Sequence, residues 1–447
     1  MEELKKNYIS SETLKTHDKP GDLWISIQGK VYNVSEWVKT HPGGDLPIMN
    51  LAGQDVTDAF IAFHPGSAWK YLEQFQIGYL KDYKISDVSK DYRKLSAEFA
   101  KMGYFENKGH GIFMSIICMM FLMSIVVTMV VCSDNVLVHL GSGCLLGVVW
   151  MQSGFIGHDS GHYNIMYTPK LNRFMQVLTG NCVTGISIGW WKWTHTAHHI
   201  AVNSLDYDPD LQHIPFLAVS PTIFESLTSY FYGRKMTFDS VARFLISYQH
   251  LSFYPVMAVA RVNLFLQSLL LVTSKRRYPN RPLDFLGLCV FWVWFSLLVS
   301  ALPNWPERVM YVLASFAVSG IQHVQFCLNH FSANVYVGPP RSIDWFEKQT
   351  QGSIDISCST WMDWFHGGLQ FQVEHHLFPR LPRGQLRKIS PLVKDLCRKH
   401  NLPYMSYSFL EANKRTIRTL RAAAIQARDL ANPIPKNLLW EAVNTHG

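Results

Sequence analysis

Histidines recur at helical spacing in three places along the chain. GFIGHDSGHYN sets His158 and His162 four residues apart, and WWKWTHTAHHI sets His195, His198 and His199 at i, i+3 and i+4. FQVEHHLFPRLPR repeats the second spacing with Gln372, His375 and His376. Positions three and four apart share one face of an α-helix, so each cluster aims its side chains at a common point. Imidazole suits iron, copper and zinc, whereas magnesium and calcium prefer oxygen. Seven clustered histidines are too many for one tetrahedral zinc and suit a pair of metal ions. Soluble di-iron bundles use glutamates and ExxH motifs; carboxylates are sparse at that spacing here, which favours an imidazole-rich pair of irons. Gln372 stands out, since its neutral carbonyl would bind iron weakly or hold a water.

Other polar residues stand near these clusters. His330, in QFCLNHF, is placed to add a ligand, and Asn329 to hold a metal-bound water. His323 lies deeper in the same apolar run and reads as packing or tunnel lining. His366, in WFHGG, reads as supporting or interfacial. Asp159, Asp206, Asp208 and Asp210 are candidates to orient imidazoles through the nitrogen that faces away from a metal. Trp190, Trp191 and Trp193 read most simply as an interfacial belt, with the wall of a substrate tunnel as the alternative.

A second constellation lies near the N-terminus. WVKTHPGGDLPIM places His41 before a Pro-Gly-Gly turn, and AFHPGSAW supplies His64 after the helical pattern GQDVTDAFIAF. A sharp turn can present His41 to a flat cofactor, and an electron-transfer haem needs two neutral imidazoles on opposite faces of its iron. Turn or surface histidines are the competing reading.

The elements that must hold these residues follow from the hydropathy. Of 447 residues, 48% are hydrophobic and 17% charged, too few charges for an ordinary soluble chain. The +8 net charge comes without a basic low-complexity arm, which disfavours nucleic acid as a partner. No CxxC or CxxCH occurs among the eight cysteines, so neither a zinc knuckle nor covalently attached haem is expected; the cysteines in apolar runs read as small hydrophobes, with no disulfide framework. The polar N-terminus has no cleavable signal.

Residues 1–85 read as a compact domain with a hairpin turning at Gln28-Gly29, and 86–110 as a linker containing an amphipathic helix. Residues 111–447 read as a membrane domain, with spans at about 112–132, 136–155, 283–302 and 309–328, each long enough for a hydrocarbon core of about 30 Å. The apolar stretch at about 253–273 carries Arg261 near its middle and is expected to be interfacial or re-entrant. Four spans put both termini and all three histidine clusters on one side. Lys101, Lys108, Lys170, Arg173, Lys192, Lys275, Arg276, Arg277, Arg380 and Arg383 fall on that side, which the positive-inside rule makes cytosolic.

Two resemblances sharpen this reading. GDLWISIQGKVYNVSEWVKTHPGGD, GQDVTDAF and His64 closely resemble the cytochrome b5 domain over residues 5–82, which implies His41 and His64 as axial ligands of haem b. The Pro after His64 departs from the small residue more usual there and bears on haem exposure. The order HxxxH, HxxHH, QxxHH behind such a domain resembles the front-end membrane desaturases, through to the closing NLLWEAVNTHG; Gln372 is part of that pattern. The resemblance implies a small α+β haem domain followed by an all-α membrane domain with four transmembrane helices and a cytosolic, histidine-rich di-iron cap. It also implies a multi-pass protein of the endoplasmic reticulum membrane. The implied iron-site residues are His158, His162, His195, His198, His199, His330, His375 and His376, with Gln372 also required for catalysis. Electrons are expected from NADH through a cytochrome b5 reductase, then the haem, then two irons, where O₂ serves to remove two hydrogens from adjacent methylenes of a lipid. Among plant enzymes, HDSGH, WWKWTHTAHH and LDYDPDLQHIP are similar to the sphingoid long-chain-base delta(8) type. His366 is nearer the acyl-lipid delta(6) type, and Thr196 departs from the Asn expected in the second cluster. A membrane hydroxylase, a non-catalytic electron carrier and a zinc-dependent hydrolase are the alternatives from other classes.

Overall fold

The computed structural model describes residues 7–106, 110–341 and 344–429; Lys108 and the closing NLLWEAVNTHG stretch lie outside them. The chain starts with a five-stranded sheet, in the order Tyr8–Ile9, Gln76–Leu80, Lys30–Asn33, Asp22–Ile27, Asp18–Lys19. Its central hairpin turns at Gln28 and Gly29, with φ of 51° and 74°. Two successive positive φ values match the right-handed twist of the flanking strands, as the sequence predicts. Two short helices, α1 (Leu46–Leu51) and α2 (Thr57–Phe63), pack on this sheet.

Helix α3 (Asp87–Lys101) is the amphipathic helix expected in the linker, capped by Ser86, whose side chain accepts from the Ser89 N–H. It is wedged into a core shared by both halves of the chain. Tyr92 and Phe99 are fully buried against Phe346 and Phe378, and burying an aromatic ring this way contributes roughly 2 kcal/mol. The same apolar cluster takes Leu51, Ala59 and Ala62 from the haem side and Val373 and Leu377 from the third histidine cluster. Polar contacts reinforce the junction: the Tyr92 hydroxyl donates to Leu377 O at 2.7 Å, Arg276 pairs with Asp45 at 3.1 Å, and Arg341 pairs with Asp18.

The apolar blocks form α4 (His110–Val131) and α5 (Val136–Gly161), then, after α6 (Ile188–Ile200), α7 (Gln249–Val259) and α8 (Arg261–Thr273), the helices α9 (Arg281–Ser300) and α10 (Trp305–His330). Among the described residues, α4, α5, α9 and α10 are long and apolar enough to cross a membrane. Helices α7 and α8 cover the ambiguous stretch and are bent by 61° where they meet, the geometry of a broken span or re-entrant segment. Arg261 at the bend is buried, 4.0 Å from the Trp150 ring centroid, and donates to Thr184 O, so its charge faces protein rather than lipid.

Helices α5 and α10 pack closely together. A Cβ on Gly143 would lie 2.8 Å from Tyr311 O, and one on Gly147 2.7 Å from Ser315 O, so small residues set this approach. Both helices run past their expected ends, to Gly161 and His330. His158 and His330 therefore ride in the last turns of rigid helices rather than in loops after them. Beyond α10 come α11 (Trp345–Gly352), α12 (Gln372–Leu377), α13 (Arg383–Lys399) and α14 (Phe409–Asp429), which close the cap.

Candidate metal centres

The N-terminal pair is built locally. A 3₁₀ turn, Trp37–Thr40, ends at His41, whose Nδ1 donates to Gly44 O at 2.7 Å across the Pro-Gly-Gly turn. A Cβ on Gly43 would sit 2.9 Å from His41 Cε1, which accounts for a glycine there. His64 caps α2, and its Nδ1 donates to Phe60 O at 3.1 Å. With both Nδ1 atoms donating, both Nε2 atoms carry lone pairs, as an iron requires. The ring centroids are 6.0 Å apart, room for a flat macrocycle between them. Burial lowers both pKa values, His64 to about 4 with help from His41, so the imidazoles stay neutral at neutral pH.

The three remote clusters converge. His158 (α5), His162 (its C-cap), His195 (α6) and His375 (α12) bring ligand nitrogens within 4.8 Å of one another, as do His198 (α6), His330 (α10) and His376 (α12). His199 joins the first group, its Nε2 lying 3.0 Å from His195 Nε2 and 3.1 Å from His375 Nε2. Within the first group His195 Nε2 is also 3.1 Å from His158 Nε2 and 3.0 Å from His162 Nε2. In the second, His198 Nε2 and His376 Nε2 are 3.2 Å apart.

These short N···N distances carry chemical information. His158 Nδ1 faces Asp159 (3.0 Å), His198 Nδ1 faces Asp208 (2.9 Å), His330 Nδ1 faces Gly352 O (2.9 Å) and His376 Nδ1 faces Gln349 Oε1 (2.9 Å). All four partners are acceptors, so each Nδ1 holds the proton and each Nε2 of the neutral ring is a lone pair. Lone pairs aimed at one another at about 3 Å repel unless a cation lies between them. Two imidazoles bound at right angles, each about 2.1 Å from a metal, have nitrogens about 3.0 Å apart. The donor set fits two transition-metal ions of the kind imidazole binds, iron among them.

Electrostatics agrees. Burial, then the neighbouring imidazoles, push His162, His195, His199, His375 and His376 well below the usual histidine range. His198 is the exception: burial opposes its protonation, but Asp208 and Asp210 raise it to about 9, a proton that a metal ion would replace.

Gln372 lies in the second group, its amide nitrogen 3.1 Å from both His330 Nε2 and His376 Nε2, while its buried Oε1 has no hydrogen-bond partner. Half a turn about the last side-chain bond exchanges the two ends and puts the oxygen on the metal side. Asn329 uses its amide nitrogen to brace Ile354 O and Leu369 O and lies outside both groups of candidate ligands. His323 contacts Met257 O, and His366 lies beside Gln325; neither joins a cluster. Asp206 accepts from Ser204 and Gly338 rather than from an imidazole.

One sequence expectation is corrected. Trp191 is no membrane-belt residue: it stacks on His195 at 4.5 Å and meets His158 and His162 edge-on, over Gly161, where a Cβ would fall 2.0 Å from its ring. Arg380 and Arg383 are both held by partners within the protein. Arg383 Nε donates to Asp159 at 2.5 Å, and Arg380 Nη1 donates to His64 O at 2.6 Å.

Sequence reading missed three supports. Asp284, at the start of α9, is fully buried and accepts from Ser187 Oγ (2.5 Å), the Ile188 N–H (3.1 Å) and the Gly189 N–H (3.3 Å), fixing the N-terminus of α6; an acid in an apolar block was the available signal. Gln349 accepts from His376 and donates to His199 O at 2.9 Å. The Gly352 carbonyl orients His330, and neither of the last two has a signature in sequence.

A family model described as fatty acid desaturase matches residues 135–408, and one for the cytochrome b5-like heme/steroid binding domain matches 10–81. The chain belongs to the fatty acid desaturase family. This desaturase is 64% identical to a Delta(8)-fatty-acid desaturase of Helianthus annuus, over 99% of this chain and 97% of that one. It is likewise 64% identical to Delta(8)-fatty-acid desaturase 2 of Arabidopsis thaliana over the whole of both chains. It is 61% identical to an acyl-lipid (9-3)-desaturase of Borago officinalis over 99% of each. The desaturase thus carries a haem-binding domain and a di-metal-type histidine cap on one chain.

Proposed function

We propose that this desaturase inserts a delta(8) double bond into the long-chain base of sphingolipids. The observation that carries the desaturation chemistry is the convergence of seven histidines from remote helices into two groups, the ligand nitrogens within each lying within 4.8 Å of one another. The choice of substrate rests on the full-length plant relatives named Delta(8) and on a Delta 8-(E)-sphingolipid desaturase of Emericella nidulans, 30% identical over 96% of this chain. The overall change is R–CH₂–CH₂–R′ + O₂ + 2 e⁻ + 2 H⁺ → R–CH=CH–R′ + 2 H₂O.

His41 and His64 would hold haem. His158, His162, His195, His199 and His375 would hold one iron, and His198, His330 and His376, with Gln372 beside them, the other. When bound, the irons supply the O₂ chemistry that an unactivated C–H bond requires. The chain's own residues do the rest. Asp159, Asp208, Gln349 and Gly352 fix which nitrogen of His158, His198, His376 and His330 faces inward. Trp191 shields the first group from water. A small cavity lined by Phe155, Phe326 and Leu369 together with Asp159, Gln322 and Arg383 touches His158, His375 and Gln372. Electrons would come from NADH through a cytochrome b5 reductase, and the four spanning helices would sit in the endoplasmic reticulum membrane with the cap in the cytosol. Residues 1–85, 86–110 and 111–447 are the proposed haem domain, connecting segment and membrane domain.

The test is expression in yeast supplied with candidate substrates. Unsaturated long-chain bases without new polyunsaturated acyl chains are expected; the reverse pattern would assign the acyl-lipid reading. A mass gain of sixteen instead of a loss of two would assign a hydroxylase.

A further inference from the structure

We propose that Phe63 is the relay through which electrons cross from the haem pocket to the iron cluster. The inference rests on the reading above, in which His64 binds haem and His199 binds iron. Phe63 is the last residue of α2 and is bonded directly to His64. Its ring meets His199 at 5.8 Å between centroids and 89° between planes. One side chain thus joins a candidate haem ligand, through covalent bonds, to a candidate iron ligand, through a single van der Waals contact.

Three features hold this contact in place. Trp345 packs on the Phe63 ring at 5.9 Å and 78°. Arg380, four residues past His376, donates to His64 O at 2.6 Å, pinning the end of α2 to the segment that carries the third cluster. Gln349 holds His199 O at 2.9 Å. His199 Nδ1 is buried without a hydrogen-bond partner, so no carboxylate or carbonyl is bound to that nitrogen. The surroundings are largely apolar: Trp345 is buried in the core shared by both halves, and the partly buried Phe63 packs against that core.

Each transfer oxidises one ferrous haem to ferric and reduces one ferric ion of the pair to ferrous. No bond forms or breaks, and the Phe63 ring is neither oxidised nor protonated. Two transfers supply the two electrons in the equation above; the two protons come from solvent.

The experiment uses full-length holoprotein in lipid nanodiscs, loaded with haem and iron. The haem is reduced by a light flash under argon, and its reoxidation by the ferric centre is followed by its visible absorption. Phe63→Leu keeps an apolar side chain and removes the ring; Phe63→Trp keeps a ring. We expect F63L to slow reoxidation and F63W to leave it close to the wild-type rate. Haem spectrum and iron content should be unchanged in both. If F63L loses haem or iron, Phe63→Met, flexible and also ringless, is read in its place. Wild-type reoxidation rates in a fully loaded ringless variant would overturn the relay. A wild-type haem that the iron centre never oxidises would overturn the electron-transfer reading itself, a separate result.

Discussion

The proposed haem pocket and the histidine cap both gather imidazoles for metal binding, but they are built differently. His41 and His64 come from one short stretch; each is oriented by a backbone carbonyl three or four residues away, Gly44 O or Phe60 O. The cap draws on α5, α6, α10 and α12, and its imidazoles are oriented by Asp159, Asp208, Gln349 and the Gly352 carbonyl. Local geometry suffices for a cofactor that brings its own four equatorial ligands. Where the protein must supply nearly every ligand, distant elements have to meet, and His158, His198, His330 and His376 each use a partner to hold the correct nitrogen inward.

Breaking each region in turn tests this contrast. The largest effect is expected for His198→Ala or His375→Ala: no unsaturated product, with the haem absorption band intact. Gln372→Ala is likewise expected to abolish activity, and Gln372→His not to restore it; a fully active Gln372→Ala enzyme, measured by product analysis, would reduce this position to packing. His64→Ala should remove the haem band while iron content stays, and lower turnover roughly a hundredfold or more, because electrons must then come from a carrier that is not tethered. Asp208→Asn should weaken iron retention about 10- to 100-fold by leaving His198 without its carboxylate partner, read by iron content after dialysis against a chelator. The smallest change is expected for Arg276→Ala, which removes a half-exposed pair with Asp45 at the junction; such pairs contribute at most about 1 kcal/mol, so haem-to-iron transfer should change by less than about fivefold. A large loss there would mean that the two regions are held together by surface charge rather than by the shared core.

The contrast also accounts for what was legible in the chain. The Gln28-Gly29 hairpin, the His41 turn and the spacing of the three clusters follow from local rules, so they read directly. His330 could be suspected from its place at the end of an apolar block. Trp191 was misread because WWKW resembles a membrane belt in one dimension, whereas α6 turns that ring onto His195. The partners of Arg380 and Arg383, His64 O and Asp159, lie more than two hundred positions away, so no local pattern announces them.

Residue type and spacing by themselves determined the chemistry: imidazoles at helical intervals, a glycine-shaped turn before His41, apolar lengths suited to spanning, and a glutamine where a histidine would otherwise stand. Only the tertiary structure decided which histidines share a centre, which nitrogen each one offers, and that the haem domain meets the cap at Phe63 and His199. The physical reason is that ligand type and helical face are properties of a few neighbouring residues. Lone-pair convergence and ring contact depend instead on how α5 and α10 pack and on the apolar core that seats the haem domain on the cap.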